Sequence, residues 1–172
     1  MSETVFLQVR AVLTTTAGRW EALTEALPAD LLSRPAAPGE WSAQQCLEHL
    51  LDTERLVFPA RVRAFLDGQD FTAFNPNHER SDFSSRTPAD LAADFARQRA
   101  ENLTLLEQLT PQDLPRTARH SELGQVTLEQ LLYDWAAHDL NHTVQAERAL
   151  MQPLITGSGP WRVYFKDHAL SV

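Results

Sequence analysis

Four long segments of this chain repeat their apolar residues at the spacing of an α-helix, and stretches containing proline or glycine separate them. The segments cover approximately residues 3–27, 42–67, 87–109 and 127–150. No stretch alternates apolar and polar residues convincingly in the manner of a β-strand. Because amphipathic helices bury their apolar faces against one another, this pattern predicts an all-α fold, a four-helix bundle.

Several residues mark where these helices begin and end. Ser42, Thr87 and Thr127 precede the second, third and fourth helices and are expected to cap them with their hydroxyl groups. Gly68 is expected to end the second helix, and Pro59 is expected to kink it. The inward stripe of that helix is predicted to contain Cys46, His49, Leu50, Thr53, Val57, Ala60 and Ala64.

The connections and the tail carry weaker signals. Residues 69–86 form a long polar loop, and residues 115–126 are expected to be irregular or weakly extended. The tail carries the aromatic residues Trp161, Tyr164 and Phe165, which are expected to pack across the bundle or to form part of an interface. A chain of 172 residues without an internal break is expected to form a single domain, residues 1–172.

Charge and cysteine content exclude several classes of protein. The formal net charge is −8, which argues against binding to nucleic acid or to an anionic membrane surface. Cys46 is the only cysteine, so the chain cannot form an internal disulfide. The first residues lack the basic and apolar runs of a signal peptide, and no segment approaches the ~20 apolar residues of a membrane span. We therefore expect a cytoplasmic protein with neither nucleic-acid nor membrane partners.

Two histidines in the fourth helix are the strongest functional signal. His138 and His142 are one turn apart, so their rings share one face of the helix. That face is the apolar stripe formed by Leu131, Trp135, His138, His142, Gln145 and Ala149. Two polar rings on a buried stripe are costly unless a partner satisfies both. A divalent metal ion would do so, since imidazole is the commonest protein ligand for metals.

His49 is the best candidate for a third ligand. It lies on the apolar stripe of the second helix, and it can face His138 and His142 if the second and fourth helices are neighbours. Catalytic metal sites commonly have three protein ligands and one open position. The alternative is that all three are core histidines satisfied by hydrogen bonds, but the spacing favours a metal site.

Other polar residues near these histidines have two interpretations each. Asp52 and Asp139 are expected either to accept hydrogen bonds from the ligand imidazoles or to be solvated surface acids. Gln145 could hydrogen-bond to a ligand water or to a neighbouring helix. Cys46 could be a fourth ligand, but a small buried apolar role is favoured.

The remaining histidines and two tryptophans are expected to lie outside the site. His78, His120 and His168 occur in loops or near the end of the chain and are expected to be solvated. His78 could still reach over the site from its loop. Trp41 and Trp135 are expected to pack the core rather than to bind a cofactor.

At these residues the sequence resembles the DinB-like family, also called the DinB/YfiT superfamily of proposed metalloenzymes. The matching elements lie at residues 41–42, 49–54 and 123–127, and in the segment His-Asp-Leu-Asn-His-Thr-Val-Gln over 138–145. Together they extend from about residue 41 to residue 150. The combination is fairly specific, whereas two histidines four residues apart would be a weak signal.

The resemblance implies more than the spacing does. It implies an up-down-down-up bundle with a long crossover between helices 2 and 3, a homodimer, and a zinc or nickel ion held by His49, His138 and His142. Some relatives are transferases or isomerases that use a low-molecular-weight thiol such as bacillithiol, mycothiol or glutathione. Others are called DNA-damage-inducible, a name that reflects regulation.

These observations lead to two functional hypotheses of different classes. The first is a metal-dependent enzyme, a thiol-dependent S-transferase or a hydrolase-like enzyme with a small-molecule substrate, and Glu54, His78 and Asp139 are its candidate general bases. The second is a non-catalytic metal-binding protein of stress response or sensing, whose fourth position Cys46 could close. A metal-free helical scaffold is the third possibility.

Overall fold

The computed structural model describes residues 2–75 and 80–170. Its helices are α1 (Ser2–Ala26), α2 (Ala29–Leu32), α3 (Ala43–Asp52), a π-helical turn (Thr53–Val57), α4 (Phe58–Asp67), α5 (Pro88–Glu107), α6 (Leu128–Gly157) and a final 3-10 helix (Gly159–Phe165). The strands β1 (Thr117–His120) and β2 (Gly124–Thr127) form an antiparallel hairpin between α5 and α6. The second long helix of the bundle is composite, because α3, the π-helical turn and α4 follow one another without a gap.

The four long helices form an up-down-down-up bundle, as predicted. Contacts between side chains on neighbouring helices show that α1 runs parallel to α6 and antiparallel to α5, and that the composite helix runs antiparallel to α6. The composite helix and α5 are therefore parallel, and the crossover over residues 68–87 connects them. The pairs that establish these directions are Arg10 with Glu107, Leu13 with Arg99, Thr16 with Asp139, Arg19 with Glu147, His49 with His142 and Phe58 with Trp135.

The predicted helix ends are confirmed. Ser42, Thr87 and Thr127 each accept a hydrogen bond from the backbone of the third residue of the following helix, and that residue's side chain accepts from the backbone of the cap. Gly68 ends α4 in the left-handed conformation, with φ of 67°. These local contacts satisfy the backbone groups that helix ends leave free, which is why short sequence signals located them correctly.

Pro59 distorts the composite helix in a more specific way than a simple kink. Proline has no N–H group, and in a regular helix its ring would clash with the carbonyl four residues earlier. The chain forms the π-helical turn immediately before it, and Phe58 donates to the Thr53 carbonyl five residues back. This wider turn changes the helical register. The predicted inward positions Ala60 and Ala64 are therefore wrong: Ala60 is exposed and Ala64 half-buried, while α4 buries Phe58, Pro59, Val62 and Phe65.

Two other expectations about the connections need correction. Residues 117–127 form a regular hairpin, in which Ala118 packs into the core and Gly124 adopts φ of 76° at the start of β2. The fourth helix continues through Pro153 to Gly157 instead of ending near residue 150. The aromatic tail does not bury its side chains, since Trp161 is 66 % and Tyr164 79 % exposed. Its participation in an interface stays a prediction.

The core is divided by a layer of buried polar side chains. One apolar cluster includes Val9, Leu13, Phe58, Val62 and Trp135, and the other includes Trp20, Leu47, Leu91, Phe95 and Leu150. Along each long helix, a polar residue lies at the boundary between the two clusters and is at most 4 % exposed. We call Thr16, Glu54, Arg99, Asn102 and Asp139 the ionic layer. In the part of the chain that the structure describes, no helix is long and apolar enough to cross a membrane.

Two glycines with open space around them provide a matched test of the backbone argument. Neither Gly68 nor Gly18 has an atom within 4 Å of the position that a Cβ would occupy. Gly68→Ala should destabilise the protein by about 1 kcal/mol, because alanine resists positive φ. Gly18→Ala, inside α1, should stabilise it by up to about 1 kcal/mol. Denaturant unfolding of both variants checks this prediction, and a change of the same sign in both would contradict it.

Candidate metal centre

The structure brings together the three histidines that the sequence singled out. His49 projects from α3, and His138 and His142 project from α6, whose apolar face packs against α3. One potential ligand atom from each residue lies within 4.8 Å of the other two. The Nε2 atoms of His49 and His138 are 3.1 Å apart. Within residues 2–75 and 80–170, these three histidines form the one cluster of side chains that could bind a metal ion together.

Burial keeps all three imidazoles in the neutral form, which has a lone pair to donate. Burial and the nearby His142 lower the pKa of His49 to about 4. Burial, with the neighbouring histidines and two arginines, lowers the pKa of His138 to about 3. Burial also lowers the pKa of His142, against the opposing effects of Gln145 and Asp139. Near neutral pH the three rings are therefore ready to bind a cation.

The geometry fits a divalent ion. Two nitrogens bound to a tetrahedral zinc ion at about 2.0–2.1 Å lie about 3.3 Å apart, close to the observed separation of the His49 and His138 nitrogens. His142 Nδ1 donates to Gln145 Oε1 at 2.9 Å, which leaves the Nε2 lone pair of His142 free to bind. His138 Nδ1 is buried and has no hydrogen-bond partner within the described structure. Hydrogen bonds within the described structure thus leave the ring of His138 incompletely satisfied.

Aromatic side chains border the histidines. Trp41 stacks on His142 with ring centroids 5.7 Å apart, and Phe58 meets the ring of His138 edge-on at 5.3 Å. Trp41 is half-buried and packs against the second apolar cluster, as predicted. Its contact with His142 was not expected. Trp135 is fully buried, as predicted, and its Nε1 donates to Glu54.

In the described part of the chain, Asp52 and Asp139 neither accept hydrogen bonds from the histidines nor lie on the surface, so both predictions for them are wrong. The two carboxylates are buried, and within the described residues neither accepts a hydrogen bond from a ligand imidazole. Asp52 accepts from the backbone N–H of Ser81 at 2.9 Å and from its hydroxyl at 2.5 Å, so it anchors the crossover to α3. Asp139 accepts instead from Arg99 and Thr16.

Cys46 is not a fourth ligand in this arrangement. The residue is fully buried in the second apolar cluster, and burial raises the pKa of its thiol to about 12. Among the described residues, the group of potential ligand atoms that meet comprises the three histidines and does not include Cys46. Cys46 therefore has the small apolar role that the sequence favoured.

The other candidate residues are placed as follows. His120 is buried, contrary to expectation, and its Nδ1 accepts from the backbone N–H groups of Glu122 and Leu123 in the hairpin turn. His168 is exposed, as predicted. His78 lies outside the described residues. Glu54 is fully buried and bonded to Arg99, which removes it as a general base at the histidines.

Sequence reasoning missed two features around the site. A small cavity of about 60 Å³ adjoins His49, and Trp41, Glu48, Asp52, Arg80 and Ser81 are among its lining residues. The second feature is the ionic layer itself. Arg99 lies on the apolar stripe formed by Leu91, Phe95, Arg99, Asn102 and Leu106, so a charge at an inward position was the signal that could have revealed it.

Comparison with known proteins identifies the family. The sequence model of the DinB superfamily matches residues 13–146, and the chain belongs to that superfamily. Among solved structures, the chain is similar to YfiT from Bacillus subtilis, a probable metal-dependent hydrolase with an unusual four-helix bundle topology. The TM-score is 0.70 and the sequence identity 21 %, with 84 % of this chain and 85 % of that chain covered, so the likeness establishes a shared fold. No curated protein matches the sequence.

The lowered pKa values of His49 and His138 predict that the metal-free protein loses stability in mild acid. In the unfolded chain a histidine takes up its proton near pH 6.5, whereas in the folded chain these two do so only near 4 and 3. Between these values the unfolded state binds more protons, so the free energy of unfolding falls as the pH is lowered. Urea unfolding of metal-free protein between about pH 7.5 and about pH 4.5 measures the fall. His138→Gln should make it smaller, and an unchanged slope would contradict the assignment.

Proposed function

We propose that this protein is a metal-dependent enzyme whose divalent ion is held by His49, His138 and His142. The convergence of three neutral, half-buried imidazoles from two helices carries the proposal. Three protein ligands leave a coordination position for a small molecule, as in catalytic sites. Zinc and nickel are the first candidates, because both bind imidazole readily.

The residues of the chain have distinct roles in this proposal. His49, His138 and His142 donate lone pairs, and Gln145 holds the ring of His142 with its Nε2 toward the site. A bound dication supplies a Lewis acid that lowers the pKa of a coordinating water or thiol. Trp41 covers one side of the site, and the cavity of about 60 Å³ beside His49 has room for a small ligand such as water.

Metal analysis tests the site directly. We expect about one divalent ion per chain in untagged protein, because three converging imidazoles bind such an ion tightly. His49→Ala, His138→Ala and His142→Ala should each lose most of it, while His168→Ala, at an exposed histidine, should retain it. Elemental analysis after purification measures both. A chain without metal, even after reloading with zinc and nickel, would refute the proposal.

The chemistry at such a site has two candidate forms. A hydrolase would need a base to accept a proton from water, and the buried carboxylates of Glu54 and Asp139 are instead paired with Arg99. Among the described residues, two carboxylates line the cavity beside His49: Asp52 is bonded to Ser81, and Glu48 is not. A small thiol ionised by a metal needs no such base. The described residues offer few such bases beside the histidines, which favours the thiol-dependent S-transferase, while the resemblance to YfiT, a probable metal-dependent hydrolase, favours the other form.

A paired activity assay distinguishes these forms. Metal-loaded protein is mixed with an activated ester alone, and separately with a chlorinated aromatic electrophile plus glutathione or bacillithiol. A transferase should require both the thiol and the metal, whereas a hydrolase should cleave the ester without thiol and lose activity in Glu48→Gln. The metal-free His138→Ala variant should be inactive in both assays. Stoichiometric metal without turnover would favour the non-catalytic metal-binding protein.

A further inference from the structure

The ionic layer beneath the histidines carries an unbalanced negative charge. Arg99 donates to Glu54 at 2.6 and 2.8 Å and to Asp139 at 2.7 and 3.1 Å, so one guanidinium is shared by two carboxylates. The side chains of all three residues are at most 1 % exposed. If both acids are ionised, the layer has a net charge of −1 in the interior of the bundle.

The hydrogen bonds have the geometry of two carboxylates, because Arg99 donates to both oxygens of each acid. Glu54 receives donors from Arg99, from Asn102 at 3.0 Å and from Trp135 at 3.0 Å, and Asp139 receives donors from Arg99 and Thr16. The partners of Glu54 are N–H donors, and Asp139 is paired with Arg99 through both of its oxygens, as a carboxylate pairs with a guanidinium. Burial alone would lower the pKa of Arg99, but its bonds to Glu54 and Asp139 raise that pKa above its usual value. All three groups are therefore charged.

Stability alone does not explain such a layer. A buried ion pair is often no more stabilising than well-packed apolar residues of the same volume, because removing charges from water is costly. An excess negative charge adds to that cost, since Arg99 is the only buried cationic side chain among the described residues. A cation bound close to the layer would balance it.

The ionic layer is linked to the histidines by residues that adjoin both. Asp139 follows His138 directly on α6. Trp135, which donates to Glu54, stacks on Phe58 at 5.0 Å, and Phe58 in turn contacts the ring of His138. The charges of the layer reach both imidazole rings of α6, since Asp139 acts to raise the pKa of His142 and Arg99 contributes to lowering that of His138.

We propose that the Glu54–Arg99–Asp139 layer is the anionic counter-charge of the three-histidine site and raises its affinity for a dication. Three neutral imidazoles leave the full charge of a bound dication uncompensated, and the layer offsets part of it through space. Glu54 and Asp139 thus act on the bound ion through space and do not coordinate it. This inference rests on the proposed metal site and assigns its affinity to residues outside the ligand set.

Zinc affinity of charge-changing variants tests the inference. Glu54→Gln and Asp139→Asn each bring the layer to zero net charge with little change in shape, on two different helices. Each should weaken Zn²⁺ binding by about tenfold or more, measured by competition with a chromophoric chelator at neutral pH. Circular dichroism confirms that the variants are folded, and either variant alone decides the question if the other does not fold.

Two controls disturb the layer without changing its charge. Thr16→Val removes the hydroxyl bonded to Asp139, and Arg99→Lys keeps the positive charge but loses the forked hydrogen bonds. Both should lower the melting temperature while leaving Zn²⁺ affinity within about twofold of the wild type.

The outcomes separate the inference from the proposed function. Equal losses of affinity in Thr16→Val and Asp139→Asn would overturn the inference, because geometry rather than charge would then control binding. Unchanged affinity in both Glu54→Gln and Asp139→Asn would also overturn it, while the metal site itself would stand. Absence of Zn²⁺ binding by the wild type would refute the proposed function, and the inference with it.

Discussion

The shared ion pair of Arg99 with Glu54 and Asp139 is the interaction on which the arrangement of this bundle depends. A buried guanidinium cannot remain unpaired, and its partners here come from the π-helical turn and α6, with Leu13 and Thr16 of α1 completing the set. Apolar packing tolerates small sliding of one helix along another, but directed hydrogen bonds between all four long helices do not. The layer thereby fixes the relative heights of the helices.

This fixed register places the histidines opposite one another. His49 lies one and a half turns before Glu54, and His138 immediately precedes Asp139, so residues that bind Arg99 also determine where the two helices present their imidazoles. Burial then keeps the rings neutral, and Gln145 orients one of them. Structural and candidate functional polar groups are thus close in sequence but have different hydrogen-bond partners.

The crossover contributes to the same site from outside the bundle. Because the composite helix and α5 are parallel, the chain must return along the length of the bundle, and Asp52 holds it there through Ser81. This anchorage brings Arg80 and Ser81 to the cavity beside His49. The up-down-down-up topology of the chain thus supplies one wall of the candidate site, while the three histidines come from the helices.

The sequence by itself determined the features that depend on near neighbours in the chain. Helical periodicity located the four long helices, capping residues such as Ser42 marked their ends, and the spacing of His138 and His142 identified one face of the candidate site, with His49 added on the assumption that its helix was adjacent. Only the tertiary structure decided which charges are buried and what they bind. Arg99, Glu54 and Asp139 are far apart in sequence, and nothing local distinguishes a paired interior charge from a solvated one. The anchoring of Ser81 by Asp52 likewise follows from packing between distant segments, which periodicity and spacing cannot specify.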